Sequence, residues 1–178
     1  AMSVQKRAVF LDRDGVINQS YGFRPPNNAS EFKLFPGVPE AIRHLNEAGF
    51  LVFVVTNQGG VGLGYMTEAE LDEIHAKLRT EVAASGGYFD EIVACIHKPR
   101  AGCSCRKPQP GMLTTLAVKH QVDLSRSYMI GDRDVDIEAG LAAGTTTILI
   151  ESDEATTVKA DYICPSLLEA SKLIVSLG

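Results

Sequence analysis

The chain has 178 residues, is 45% apolar and 22% charged, and carries a formal net charge of −5. That composition fits one ordinary globular domain spanning 1–178 and offers no basic cluster to neutralise a nucleic-acid backbone or an anionic membrane. No apolar run approaches the roughly 18 residues of a membrane span, and no apolar leader is visible in "AMSVQKR". The expectation is a cytoplasmic protein, where clustered cysteines more often bind metal than pair as disulfides.

In chain order, "AVFLD" (8–12) is the first of five short apolar runs rich in β-branched and aromatic residues. Such runs without clean alternation suit strands buried on both faces. A helix is predicted over 36–49, with Val38, Ile42 and Leu45 on its apolar side and a stop at Gly49. The second strand is "FLVFVVT" (50–56). A helix over 67–87 follows, opened by a Thr67-x-x-Glu70 capping box, with Leu71, Ile74, Leu78 and Val82 on one face. Then come a strand at 91–96, a helix at 110–121 entered through Pro110, a strand at 127–131, a helix at 134–144 and a strand at 146–150. The chain closes with an amphipathic helix over 166–177. This alternation predicts an α/β fold, a parallel sheet covered on both faces, with ligands beyond the carboxyl ends of the strands.

Chemistry collects at those ends. "FLDRDGVIN" puts Asp12 and Asp14 just past the first strand, with Gly15 to turn the chain. "VVTNQGG" puts Thr56 at the tip of the second, "MIGDRDVD" brings Asp132, Asp134 and Asp136 after the fourth, and Lys107 precedes the helix at 110. The set suits phosphoryl transfer. Asp12 can attack phosphorus to give an aspartyl phosphate, while Asp14 protonates the leaving oxygen and later deprotonates water. A Mg²⁺ held by Asp12, Asp132 and a backbone carbonyl would offset the repulsion between anions, with Thr56 and Lys107 on the phosphoryl oxygens. Alone, a D-x-D pair is weak and a threonine or lysine at a strand end is ordinary; the combination over several strand ends is what carries meaning. Asp134 and Asp136 could each simply cap or charge the start of the next helix, and for Asp134 that simpler reading is preferred. His44, His75 and His120 fall on helices with no partner in view.

The motifs "DRDG" (12–15), "TNQ" (56–58), "RKP" (106–108) and "GDRDVD" (131–136), in that order, resemble those of the haloacid dehalogenase superfamily of phosphohydrolases. The resemblance implies a three-layer α/β/α Rossmann-like sheet in order 3-2-1-4-5, and Mg²⁺ on Asp12, the Asp14 carbonyl and Asp132. The intervals Asp14–Thr56 and Thr56–Lys107 are largely filled by core elements and leave no room for a separate cap domain. Within the superfamily, "DRDGVIN", Tyr21-Gly22-Phe23, "TNQGG…GYMTE" and the cysteine loop resemble the D-glycero-D-manno-heptose 1,7-bisphosphate 7-phosphatases. That implies a monomer acting on a small phosphorylated sugar in heptose biosynthesis, with Ser20, Tyr21, Gly22 and Phe23 by the sugar. Asn57, Gln58 and Gly59 would lie by the phosphate, with Arg106 and Arg133 as substrate-reading cations. Arg133 stands where that group usually has lysine, and Leu63 where it usually has arginine. Histidinol-phosphate phosphatases share most of the motifs and stay an alternative, as does, more remotely, a non-catalytic zinc-stabilised binding module.

"CIHKPRAGCSCRKP" (95–108) holds Cys95, His97, Cys103 and Cys105. A Cys₃His set is a closed structural zinc site, although this spacing is not the common C-x₂-C pair. A disulfide is disfavoured by the odd count, and a nucleophilic thiol is conceivable. The resemblance to the heptose-bisphosphate phosphatases favours a zinc-binding loop, one that fixes the backbone running into Arg106 and Lys107.

Overall fold

The computed structural model describes residues 5–22 and 24–178. Strands β1 (Ala8–Leu11), β2 (Leu51–Asn57), β3 (Glu91–Cys95), β4 (Tyr128–Gly131), β5 (Thr146–Ile150) and β6 (Tyr162–Cys164) form one sheet. Its order is β3-β2-β1-β4-β5-β6 and every pairing is parallel. The order 3-2-1-4-5 is thus present, with a sixth strand added at the far edge. That strand carries Ile150↔Cys164 in register beside β5.

Alternation along the strands sorts the core into two layers. Val9 and Leu11 of β1, with Val52 and Val54 of β2, point to one side. There they meet α1 (Val38–Glu47), α3 (Glu68–Ala83) and α6 (Leu167–Leu177) through Ile42, Leu45, Ile74, Leu78 and Ile174. Ala8, Phe10, Phe53 and Val55 point to the other side, against Met112, Leu113 and Leu116 of α4 (Gly111–His120). Side chains of this size each contribute roughly 1.5–3 kcal/mol when fully buried. The same period explains why the strands lack a polar face: both sides are dry.

Helix starts follow the sequence. Thr67 Oγ1 accepts from Glu70 N at 3.1 Å and Glu70 Oε1 accepts from Thr67 N at 2.9 Å, the reciprocal box expected for α3. Helix α5 (Asp134–Ala143) opens directly after β4, and a four-residue helix, α2 (Gly59–Gly62), opens after β2. Strands β1 and β4 are neighbours whose chains leave toward opposite ends of the sheet, so the crevice past their carboxyl ends is the expected ligand site. Among the described residues, no helix is long and apolar enough to cross a membrane.

Candidate active site

Asp12 follows β1 and keeps strand geometry, its N–H donating to Ile130 O of β4 at 3.0 Å. The Lys107 ammonium lies against it at the centre of the site. Lys107 Nζ donates to Asp12 Oδ1 at 2.8 Å, Asp136 Oδ1 at 2.7 Å and Val55 O at 2.9 Å, and its side chain is 1% exposed. Burial alone would discharge a lysine, but the two carboxylates overcome it and hold the ammonium above its ordinary pKa. Asp12 is pushed well up by burial and by Asp136, against the pull of Lys107. Asp132 is pushed up to about 6 by burial and then by Asp136.

One oxygen from each of Asp12, Asp132 and Asp136 falls within 4.8 Å of the others. Three carboxylates around one ammonium leave an excess of negative charge. Asp136 is fully engaged: Oδ1 by Lys107, Oδ2 by Asp132 N and Arg133 N, each at 3.1 Å. Asp132 Oδ1 is buried and has no partner among the described residues, and Asp12 Oδ2 takes no hydrogen bond among them. A hard divalent cation with oxygen ligands fits these two carboxylates. Gly15 lets Asp132 come this close: its φ is +89°, and a Cβ there would lie 2.0 Å from Asp132 Oδ2.

Asp14 stands beside this cluster. Its Oδ1 accepts from Arg13 Nε at 3.1 Å, Arg13 Nη2 at 2.9 Å and Asn18 Nδ2 at 2.9 Å; its Oδ2 accepts from Gln58 Nε2 at 2.9 Å. Gln58 Nε2 also donates to Thr56 Oγ1 at 2.8 Å. An open cavity of about 1150 Å³ lies over the site. Asp12, Asp14, Lys107, Gln58 and Gly59 line its floor, and Ser20, Tyr21, Asn57, Arg106 and Arg133 its sides. Thr56 is buried beneath this lining, and Gly22 does not reach it. Phe23 lies outside the described residues.

A protein of this arrangement has known counterparts. The HAD-hydrolase-like family matches residues 104–170. A D-glycero-β-D-manno-heptose-1,7-bisphosphate 7-phosphatase of Pseudomonas putida is 42% identical over 146 residues, 82% of this chain and 83% of the relative. The Escherichia coli K12 protein of the same name is 34% identical over 179 residues, covering 94% and 93%. The chain belongs to the haloacid dehalogenase-like phosphatases. The solved structure of a D,D-heptose 1,7-bisphosphate phosphatase from B. bronchiseptica, complexed with magnesium and phosphate, superposes with a TM-score of 0.89. It is 32% identical, and the match covers 97% of this chain and 99% of that one.

In this phosphatase the cysteine stretch leads from the end of β3 to Lys107. All four cysteines are free thiols. His97 Nδ1 lies 3.5 Å from Cys95 Sγ and 3.2 Å from Cys105 Sγ, and Cys103 Sγ lies 3.7 Å from Cys95 Sγ. Cys105 and Cys95 are closer, at 2.8 Å. A tetrahedral zinc, with Zn–S bonds of about 2.3 Å, sets its sulfurs about 3.8 Å apart. The donor set and the two longer spacings fit zinc, while the Cys95–Cys105 pair lies closer than a tetrahedral ion would hold it. The loop is backed by α2: a Cβ on Gly62 would meet Lys98 N at 2.6 Å and Ile96 O at 2.7 Å. Asn57 braces the other end, donating from Nδ2 to Lys107 O at 3.1 Å and accepting from Lys107 N at 3.0 Å.

Several residues do more than their sequence positions suggested. Asp136 sits in the first turn of α5 as expected, yet it is also half of the Lys107 clamp. Asp136→Ala is expected to lower unfolding free energy by about 3 kcal/mol, read as a lower urea midpoint. An unchanged midpoint would mean that Asp12 alone holds Lys107. Asp134, also in that first turn, accepts from Thr157 N at 2.9 Å and Val158 N at 3.0 Å and so ties down the segment after β5. Arg133 is paired with Glu154 at 3.0 Å on the cavity rim. Arg24 and Arg100 line the same cavity and were not singled out from sequence. The histidines are also partnered: His120 Nε2 lies 2.8 Å from Glu91, His44 3.7 Å from Glu40, and His75 3.1 Å from Arg13.

Proposed function

We propose that this phosphatase removes the 7-phosphate of D-glycero-D-manno-heptose 1,7-bisphosphate through an aspartyl-phosphate intermediate. The observation that carries the chemistry is Asp12 itself. It is the carboxylate on the cavity floor with one oxygen held by Lys107 and the other unbonded. Asp12 attacks phosphorus through one carboxylate oxygen, its other oxygen staying available to a cation, while the phosphorus–sugar oxygen bond breaks and the departing oxygen takes its proton from Asp14. Water then attacks the same phosphorus, gives its proton to Asp14, and the Asp12–phosphorus bond breaks. Lys107 and the Thr56 hydroxyl, which donates to no acceptor among the described residues, are assigned to the phosphoryl oxygens. Asp12, Asp132 and the Asp14 carbonyl would hold a Mg²⁺, which would neutralise charge on the entering phosphate.

The substrate reading rests on the relatives' names and on the cations around the cavity. Arg106 supports the reading of an anionic substrate: it lines the cavity, and its buried Nη1 has no partner among the described residues. Ser20 and Tyr21 flank the sugar, while Asn57 acts by holding Lys107 in place. Leu63, half exposed on the rim, offers no cation where the resemblance places an arginine. Zinc on Cys95, His97, Cys103 and Cys105 is structural in this reading. Reduced metal-binding thiols suit a cytoplasmic protein, and the family resemblance suits a monomer.

The test is phosphate release with Mg²⁺ from the heptose bisphosphate, histidinol phosphate and a panel of sugar monophosphates. The expected result is a kcat/KM for the heptose bisphosphate at least about tenfold above every other compound, with turnover abolished by chelation. A preference for histidinol phosphate would replace the substrate while leaving the chemistry. No turnover on any phosphoester would leave a binding module.

A further inference from the structure

The Arg13 side chain is fully buried, although it lies between the two catalytic aspartates in sequence. Two of its nitrogens, Nε and Nη2, grip Asp14 Oδ1, and Asn18 Nδ2 adds a third donor to the same oxygen. The remaining nitrogen, Nη1, lies 3.1 Å from His75 Nε2, and the guanidinium carbon lies 6.0 Å from the Phe32 ring centre. A guanidinium only donates, so His75 Nε2 must accept, which makes the imidazole neutral with its proton on Nδ1. Burial and then Arg13 push His75 down to about 4, in keeping with that state. His75 sits in the middle of α3, whose Ile74 and Leu78 are in the core. Two residues on, Lys77 Nζ donates at 2.9 Å to Ala29 O and to Phe32 O, binding α3 to the segment that carries Phe32. His75 does not line the cavity, so it touches no substrate.

We propose that His75 is a positioning residue for phosphoryl transfer: through Arg13 it fixes Asp14 so that Oδ1 stays an acceptor and Oδ2 carries the proton. Oδ1 receives three donors and has no room for a proton; Oδ2 receives one, from Gln58, and keeps a lone pair for the leaving oxygen or for water. A carboxyl group free to rotate would exchange these roles and offer the wrong oxygen part of the time. The fork of Arg13 stops that rotation, and His75 fills the donor that would otherwise pull the fork out of line. The idea rests on the reading of Asp14 as acid and base.

The experiment compares His75→Leu and His75→Gln, both loaded with Mg²⁺, in single-turnover phosphoryl transfer from a sugar phosphate and from p-nitrophenyl phosphate. An alkoxide needs the Asp14 proton to leave; p-nitrophenolate does not. His75→Leu should slow transfer from the sugar phosphate about tenfold, leave the enzyme concentration for half-maximal rate unchanged, and leave p-nitrophenolate release within about twofold. His75→Gln, whose Oε1 can accept from Arg13, should recover most of the loss. Equal slowing on both substrates would mean a merely structural histidine, and no slowing would mean no role; either result overturns the proposal. If His75→Leu does not fold, Arg13→Lys, which loses the fork, is held to the same sugar-to-aryl criterion. Asp14→Asn is the control. If it shows the selectivity and His75→Leu does not, only His75 is misread; if Asp14→Asn slows both substrates alike, the acid–base reading falls and takes this one with it.

Discussion

Asp12→Asn lowers kcat by at least about 10⁴-fold, with the fold intact. The amide keeps the volume and one acceptor oxygen, so Lys107 retains a partner at this position and keeps its ion pair with Asp136. What disappears is the anionic oxygen that attacks. No neighbouring carboxylate can replace it. Asp14 is bound at both oxygens, Asp136 has both oxygens engaged, and the proposed mechanism assigns Asp132 to the metal. Stability should hold or rise slightly, because a buried carboxylate crowded by Asp136 has been neutralised. The measurement is phosphate release by freshly purified variant whose side-chain amide is verified by mass, since deamidation restores aspartate. A kcat near the parent's from such protein would refute the aspartyl-phosphate route, and no adjustment of other roles would rescue it.

The parts of the molecule legible in the sequence were those where one physical signal dominated. Strands β1 to β5 were readable because burial on both faces writes a continuous apolar run, and α3 because its box and its apolar face agree. Strand β6 was not: it is three residues long on an edge, and Tyr162 and Ile163 are exposed, so no apolar run marks it. Helix α2 is four residues, three of them glycine, and only its packing on the cysteine loop explains it. Asp12, Asp14, Asp132 and Lys107 could be placed because parallel topology sends strand ends to one edge. The second role of Asp136 could not be read because a carboxylate in a helix's first turn already has a local explanation, and that role depends on Lys107, 29 positions away. His75 looked partnerless for the same reason, as Arg13 is 62 positions distant.

Cys103→Ser is expected to release zinc, lower Tm by about 6–12 °C and reduce kcat by about 10-fold to 100-fold. The size follows from what holds Lys107 once the metal is gone. Cys105 is two residues before Lys107, and in the proposed reading the loop between β3 and α4 takes its shape from a zinc on its four Cys and His side chains. Two anchors survive: the Asn57 bracket on the Lys107 backbone, and the buried ammonium between Asp12 and Asp136. Lys107 would therefore drift rather than leave, which is why the loss should be far smaller than for Asp12→Asn. Arg106, with no such second anchor, should drift more, so KM for the anionic sugar substrate should rise as kcat falls. Metal analysis of protein purified without chelator should give one zinc per parent chain and none in the variant. A parent chain free of zinc, yet unchanged in Tm and turnover, would remove the metal from the account. The four side chains would then be a thiol cluster, and the aim of Lys107 would rest on Asn57 and the two carboxylates alone.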